Sequence, residues 1–283
     1  MKTVHALVIT GFGINCEEEM GAACTLAGAQ ADIVHLNEIL HERVSVHDYD
    51  LINFPGGFSF GDDLGSAKVL GNKIKFRQTE SGKKLLNELE RFLSDGKYVI
   101  GVCNGFQALV KMGLLPNIGG NFEQEVTLTY NDSGHFEDRW VKLAVNPKSQ
   151  TPFLTGLQSF DVPVRHGEGK LLFADETVRQ AVREKNLNCL SYADAGGQPT
   201  SQYPFNPNGS ELNCAGLTDP AGQVFGLMPH PEAYLSLYNH PDWARRKRQN
   251  PGINEEGEGL QIFRNIVEYI ANNFPLKKGA RGL

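Results

Sequence analysis

Of five cysteines in the chain, one stands between two glycines where an apolar run gives way to an amphipathic one: Tyr98-Val-Ile-Gly101-Val-Cys103-Asn-Gly105-Phe-Gln107. A strand that turns directly into a helix forces its corner residue into strained backbone angles and crowds the residues two before and two after it. Glycine at both places relieves that crowding. The pattern is a nucleophile elbow with sulfur in place of a hydroxyl. Free N–H groups in the first turn of the following helix set positive potential behind the sulfur, which suits a thiolate. Read blandly, Cys103 is a small buried hydrophobe.

A thiolate that attacks a carbonyl needs a base, and the base needs an orienting group. Met228-Pro-His230-Pro-Glu232 supplies both at the end of an apolar run. Pro229 and Pro231 bias the residues before them away from helix. In an extended segment alternate side chains share a direction, so Glu232 can turn back onto the imidazole of His230. Taken alone, a histidine in such a loop is incidental. Acyl chemistry also needs donors for an oxyanion. Asn53-Phe-Pro-Gly56-Gly57-Phe58-Ser-Phe-Gly-Asp62 leaves a strand on two glycines and can offer the Gly57 N–H. The second donor would be the N–H of Asn104. Pro-Gly-Gly after a strand is equally an ordinary turn. Gly11-Phe-Gly13-Ile-Asn-Cys16 allows a weaker reading as a dinucleotide loop, but its third glycine is missing. The seven histidines other than His230 form no pair at metal-ligand spacing with an obvious third donor, so no metal site is expected.

The elements that must position these residues alternate. Apolar runs at 3–10, 32–36, 49–54 and 98–102 read as strands. Residues 17–27, 83–93 and 104–112 carry apolar side chains at helical spacing, with Phe106, Leu109 and Val110 inward on the last. Such alternation predicts an α/β fold, a three-layer sandwich of mostly parallel central sheet with helices on both faces. In the second half, short strands are expected at 126–130, 140–145, 160–164, 212–217 and 223–227. The last two flank Asp219-Pro-Ala-Gly222 and predict an antiparallel hairpin. A closing helix is expected over 259–274. The loops at 194–211 and 234–258 are long enough for lids or contact surfaces. A length of 283 residues fits one elaborated domain better than two.

Several functions are disfavoured. No apolar run approaches the roughly 18 residues of a membrane helix. The N-terminus lacks the apolar stretch and cleavage site of a secretory leader, so the cytoplasm is the expected address. Five cysteines without CxxC spacing imply reduced thiols, mostly in the core, and the sequons at Asn131 and Asn208 are then chance matches. A net charge of −6 argues against a nucleic-acid surface, and the basic run Arg245–Arg248 reads as a solvated helix face or partner contact.

Taken together, PGGFSFGD at 55–62, GVCNGFQALVKMGLLP at 101–116, RHGEGK at 165–170, NPNGS at 206–210, GLMPHPE at 226–232 and the opening GFGINCEEE resemble the class I, triad-type glutamine amidotransferases. Within that family the set is most similar to the glutaminase subunits of phosphoribosylformylglycinamidine synthases, and it runs nearly the full chain in the family's order. The resemblance implies a flavodoxin-like class I glutaminase fold over 1–283, with insertions near 66–80 and 234–258. Ala233 stands where the family usually has arginine after H-P-E.

The resemblance also implies roles. Cys103 would attack the side-chain amide of glutamine, His230 would move the protons, and Glu232 would hold the imidazole. Gly57 and Asn104 would form the oxyanion hole, with Gln107 and Phe58 near the substrate. Ammonia would pass to a synthetase subunit, with a further small accessory subunit in some complexes. This chain has no Walker-type loop, so ATP and Mg²⁺ would belong to the partner and no cofactor to this chain. A free-standing cysteine hydrolase, another pathway's glutaminase on the same fold, and an inactive binding module are the alternatives.

Overall fold

The structure, a computed structural model, describes residues 2–273. Its strands in chain order are β1 (His5–Thr10), β2 (Gln30–His35), β3 (Leu51–Phe54), β4 (Tyr98–Val102), β5 (Val126–Thr129), β6 (Glu137–Val145), β7 (Ser159–His166), β8 (Lys170–Phe173), β9 (Asn188–Ala193), β10 (Cys214–Thr218) and β11 (Val224–Leu227). Helices are α1 (Glu17–Leu26), α2 (Leu36–Leu40), α3 (Lys68–Phe76), α4 (Leu85–Ser94), α5 (Asn104–Met112), α6 (Glu176–Glu184), α7 (Trp243–Gln249) and α8 (Leu260–Asn273).

One nine-stranded sheet runs β2-β1-β3-β4-β11-β10-β9-β6-β7, and β5 and β8 pair separately. From β2 to β11 every pairing is parallel. From β11 onward every pairing is antiparallel, including the expected β10–β11 hairpin. The α/β fold with antiparallel strands in its second half is therefore observed. Helices α1 and α8 pack together, while α3, α4 and α5 form a second group, so both faces are covered.

The central strands are apolar without a break because they are buried on both faces. All four residues of β3 and of β11, and all five of β4, are buried. Each large apolar side chain there contributes on the order of 1.5–3 kcal/mol through burial. Helix α5, amphipathic by sequence, is buried at every residue except Lys111, and ends at Gly113 in the left-handed conformation.

Several elements depart from the sequence expectation. The segment near 66–80 contains α3, whose Leu70 and Ile74 are fully buried and which packs along α5. The 234–258 segment is not a bare loop. It holds α7, whose Arg246 lies against Asp161 on β7, and Asp161 also takes Lys142 at 2.8 Å. The basic run thus does sit on a helix, but one of its arginines is committed inward. Helix α6, unread in the sequence, carries little apolar surface and buries only Val182. The closing helix was expected to reach Phe274, which lies outside the described residues. No described helix is long and apolar enough to cross a membrane.

Candidate active site

Cys103 joins β4 to α5 with φ 51° and ψ −107°, a region that L-residues rarely occupy. The glycines explain how the chain tolerates it. A Cβ on Gly105 would lie 1.8 Å from the carbonyl oxygen of Phe54, and one on Gly101 would lie 2.8 Å from the Gly105 backbone and 2.5 Å from Leu109 Cδ1. Crowding between the two glycine positions was expected. The harsher constraint comes from β3, which passes directly against the elbow.

The sheet register brings the base to the nucleophile. Strand β11 pairs with β4 so that Leu227 is opposite Val102, and the Cys103 N–H donates to the Leu227 carbonyl at 2.8 Å. Three residues on, the His230 N–H donates to Pro163 O of β7 at 2.8 Å, which fixes the loop over the elbow. A 3₁₀ turn at Pro231–Ala233 then folds Glu232 back, and its Oε1 lies 2.6 Å from His230 Nδ1. Both side chains are buried, at 3 % and 2 % exposure. Burial alone would lower the affinity of His230 for its proton. The charges of Glu232 and Cys103 and the contacts with the Cys103 and Cys16 thiols outweigh it and hold the imidazole protonated well above its ordinary pKa.

Neither thiol makes a well-directed bond to this ring. His230 Nε2 is buried and hydrogen-bonds to no described group, while Cys103 Sγ lies 3.7 Å from Arg165 O and Cys16 Sγ 3.4 Å from Asn15 Oδ1. The thiols therefore act on His230 through proximity and charge.

The loop after β3 is clamped from two sides. Ile14 and Gly57 form an antiparallel bridge, the N–H groups of Asn15 and Cys16 reach Gly56 O at 3.2 and 3.3 Å, and Phe58 N–H reaches Gly13 O at 2.8 Å. This is the work of Gly11–Cys16, which was weighed as a dinucleotide loop. A Cβ on Gly13 would sit 2.5 Å from Phe58 O. Gly57, at φ 144°, keeps its N–H free of any described acceptor. From the other side the Asn104 side chain accepts from Ser59 N–H at 3.2 Å and donates to Asp62 and to Gln107 Oε1 at 3.2 and 3.1 Å. The two N–H groups named for the oxyanion hole thus belong to segments tied to each other by one side chain.

Gln107 is buried, and its Nε2 donates to Glu168 O at 2.6 Å. Phe58 is half exposed, and its ring tilts against Phe136 with centroids 6.4 Å apart. Behind the nucleophile, the RHGEGK and NPNGS segments interlock. Asn131 Oδ1 contacts His166 Nδ1 at 3.1 Å and accepts from Gly169 N–H at 3.0 Å, while Ser210 Oγ and Asn208 hold the far side of the turn. Burial and the neighbouring charge of His230 push His166 down to about 3. Asn131, His166 and Cys16 carry no role in the sequence reading. Membership in the quoted motifs pointed to this place for His166 and Cys16, and nothing in the sequence reading did so for Asn131.

The described residues hold one group of donors close enough for a cation, Cys16 with His230 and Glu232. Sequence spacing could not reveal it, since Cys16 lies more than two hundred positions from His230 and Glu232.

The chain matches the model of the CobB/CobQ-like glutamine amidotransferase domain over residues 3–270. It belongs to that family. The amidotransferase is 41% identical over 269 residues to the phosphoribosylformylglycinamidine synthase subunit PurQ of Dehalococcoides mccartyi, covering 95% of this chain and 98% of that one. It is 39% identical over 271 residues to the PurQ subunit of Methanococcus maripaludis, covering 93% and 96%. Among solved structures it resembles a chain of PurLQS from Thermotoga maritima with a TM-score of 0.68 at 27% identity, covering 95% of the amidotransferase and all of that chain.

Proposed function

We propose that this chain is the glutaminase subunit of a phosphoribosylformylglycinamidine synthase, acting in purine biosynthesis. The observation that carries the chemistry is the strained Cys103 elbow set beside a buried imidazole whose far nitrogen lies 2.6 Å from Glu232.

In this reading Cys103 Sγ attacks the side-chain amide carbon of glutamine. The N–H groups of Gly57 and Asn104 receive the oxyanion. His230 gives its proton to the departing ammonia, leaving a γ-glutamyl thioester. The neutral imidazole then takes a proton from water, hydroxide equivalent adds to the thioester, and glutamate leaves as the thiolate is restored. Glu232 keeps the ring in one orientation through both halves. Gln107 acts beside the substrate by fixing Glu168 and Asn104, and Phe58 borders the entrance. The whole chain works as one glutaminase domain, with the segments near 66–80 and 234–258 as additions to it.

Ammonia passes to an ATP-dependent synthetase subunit, which also holds the Mg²⁺, and a small accessory subunit completes the complex. The PurL-Q-S composition of the structurally similar assembly supports this partnership. The test is glutamate release from glutamine by the purified chain alone and after addition of the synthetase subunit. Release that rises on addition supports a dependent glutaminase. Full release by the chain alone, indifferent to the partner, favours a free-standing hydrolase.

A further inference from the structure

Where the Gly11–Cys16 loop meets the loop after β3, two stacked rings have no part in the proposed reaction. Phe12 belongs to the first loop and Phe60 to the second, and their ring centroids are 4.5 Å apart with planes 16° from parallel. Both residues are partly buried, and both adopt φ 57°, the left-handed region that a bulky L-residue rarely occupies. Such a conformation persists only where its surroundings over-determine it. Here the Phe60 N–H donates to Phe12 O at 2.5 Å, and the His35 ring meets Phe12 edge-on with centroids 5.0 Å apart. From this stack the contacts between the loops run on through Phe58 N–H and Gly13 O to the Ile14–Gly57 bridge. A Cβ on Gly57 would lie 2.8 Å from both Gly13 O and Ile14 Cα, so the Gly57 peptide has no room to turn unless the two loops part.

Helix α3 caps the stack. Lys73 Nζ lies 3.9 Å from the Phe12 ring centroid and 5.3 Å from that of Phe60. Both are inside the roughly 6 Å over which a ring face attracts a cation. No carboxylate among the described residues pairs with this ammonium, so the rings are its partners. Partial burial and the charge of Arg77 lower its pKa from the ordinary lysine value, and a partly desolvated cation is held more strongly by a ring face. The same segment is tied to the loop at a second point, where the Ala67 N–H donates to Asp62 Oδ1 at 3.0 Å.

We propose that Phe12, Phe60 and Lys73 are positioning residues, a cation capping two stacked rings so that the loop after β3 keeps the Gly57 N–H aimed at the oxyanion. They act through the backbone that joins the two loops. The segment near 66–80 thereby serves the reaction from α3. An oxyanion exists in the transition state and not in bound glutamine, so loosening the clasp lowers kcat and spares KM. The kinetic effect rests on the glutaminase reading, but the clasp does not.

The test compares wild type, Lys73→Met, Lys73→Arg, Phe12→Leu and the double variant Lys73→Met with Phe12→Leu, each assembled with the synthetase and accessory subunits. Lys73→Met keeps an unbranched stem without the charge, and should lower kcat for glutamine hydrolysis about tenfold with KM within about twofold of wild type. Lys73→Arg still offers a cation to the ring faces and should stay within about twofold of wild type in both constants. Phe12→Leu should lower kcat as Lys73→Met does, and the double variant should fall little further, because the clasp acts as a unit. In hydrogen exchange of the full chain, the Phe58 and Phe60 amides should exchange faster in Lys73→Met while the urea midpoint stays close to wild type. Lys73→Gln replaces the methionine variant should the latter not fold. An unchanged kcat in Lys73→Met, a loss that arginine does not rescue, a rise in KM at unchanged kcat, additive losses in the double variant, or unchanged exchange would overturn the clasp. Absence of glutaminase activity in wild type with the exchange pattern intact would overturn the functional reading and leave the clasp standing.

Discussion

Glu232 reaches His230 from two positions along the chain, and its Oε1 lies 2.6 Å from the ring Nδ1. Glu232→Gln should therefore keep KM for glutamine close to wild type and lower kcat by about 10²–10⁴-fold, because the amide can no longer stabilise or correctly orient the imidazolium. Steady-state kinetics of the assembled complex decide it, and an unchanged kcat would assign the orienting role elsewhere. His166 provides a pH test of opposite character. It is held near 3, against an ordinary value of 6.5, so the unfolded chain binds a proton there that the folded chain refuses. Stability from this residue is intact above about pH 6.5 and falls as pH drops toward 3, by up to about 1.4 kcal/mol per pH unit. His166→Gln should flatten the acid limb of urea-denaturation stability between about pH 4 and 7, and an equally steep limb would show that other groups carry the loss. The residues of the proposed triad could be singled out in the sequence because each sits in a short local pattern, and the fold brings His230 and Glu232 within 2.6 Å of each other. His166 and Cys16 were not, because what makes them matter is contact with residues on other elements.

At the scale of elements, the elbow depends on β3 and on glycine more than on the helix it opens. Gly105→Ala would put a methyl group 1.8 Å from Phe54 O, and neither backbone can withdraw, since β3 pairs on both sides within the buried sheet. We expect a loss of at least about 3 kcal/mol in unfolding free energy by chemical denaturation, with glutaminase activity lost alongside. A stable and active Gly105→Ala protein would show that the elbow flexes. Period and punctuation located α5 to the residue, since Cys103 and Gly113 bound a clean apolar face. They failed for α6, whose nine residues bury one side chain, and for α3, which hides Leu70 and Ile74 among three lysines. A helix that buries only one or two large apolar side chains leaves little trace in hydrophobic spacing. The clamp formed by Gly11–Cys16 on the loop after β3 was also invisible, because a backbone bridge between two loops has no residue signature.

For the whole molecule, the parallel half of the sheet places every proposed catalytic group at the carboxyl ends of β3, β4 and β11, where open α/β sheets bind their ligands. The antiparallel half supplies Pro163 O and Arg165 O, which hold the base loop and meet the nucleophile, so both halves build one site. In the proposed reading that site makes ammonia and a partner subunit consumes it, and this division of labour is the central claim. It is tested by Cys103→Ala in a complex reconstituted with the synthetase and accessory subunits, comparing synthesis driven by glutamine with synthesis driven by ammonium salt. The substitution removes one sulfur from a position that stays as strained as before, so folding and docking should survive. Glutamine-dependent synthesis should fall to background while ammonium-dependent synthesis stays near wild type. Loss of both in an intact complex, or survival of the glutamine-dependent reaction, would contradict it.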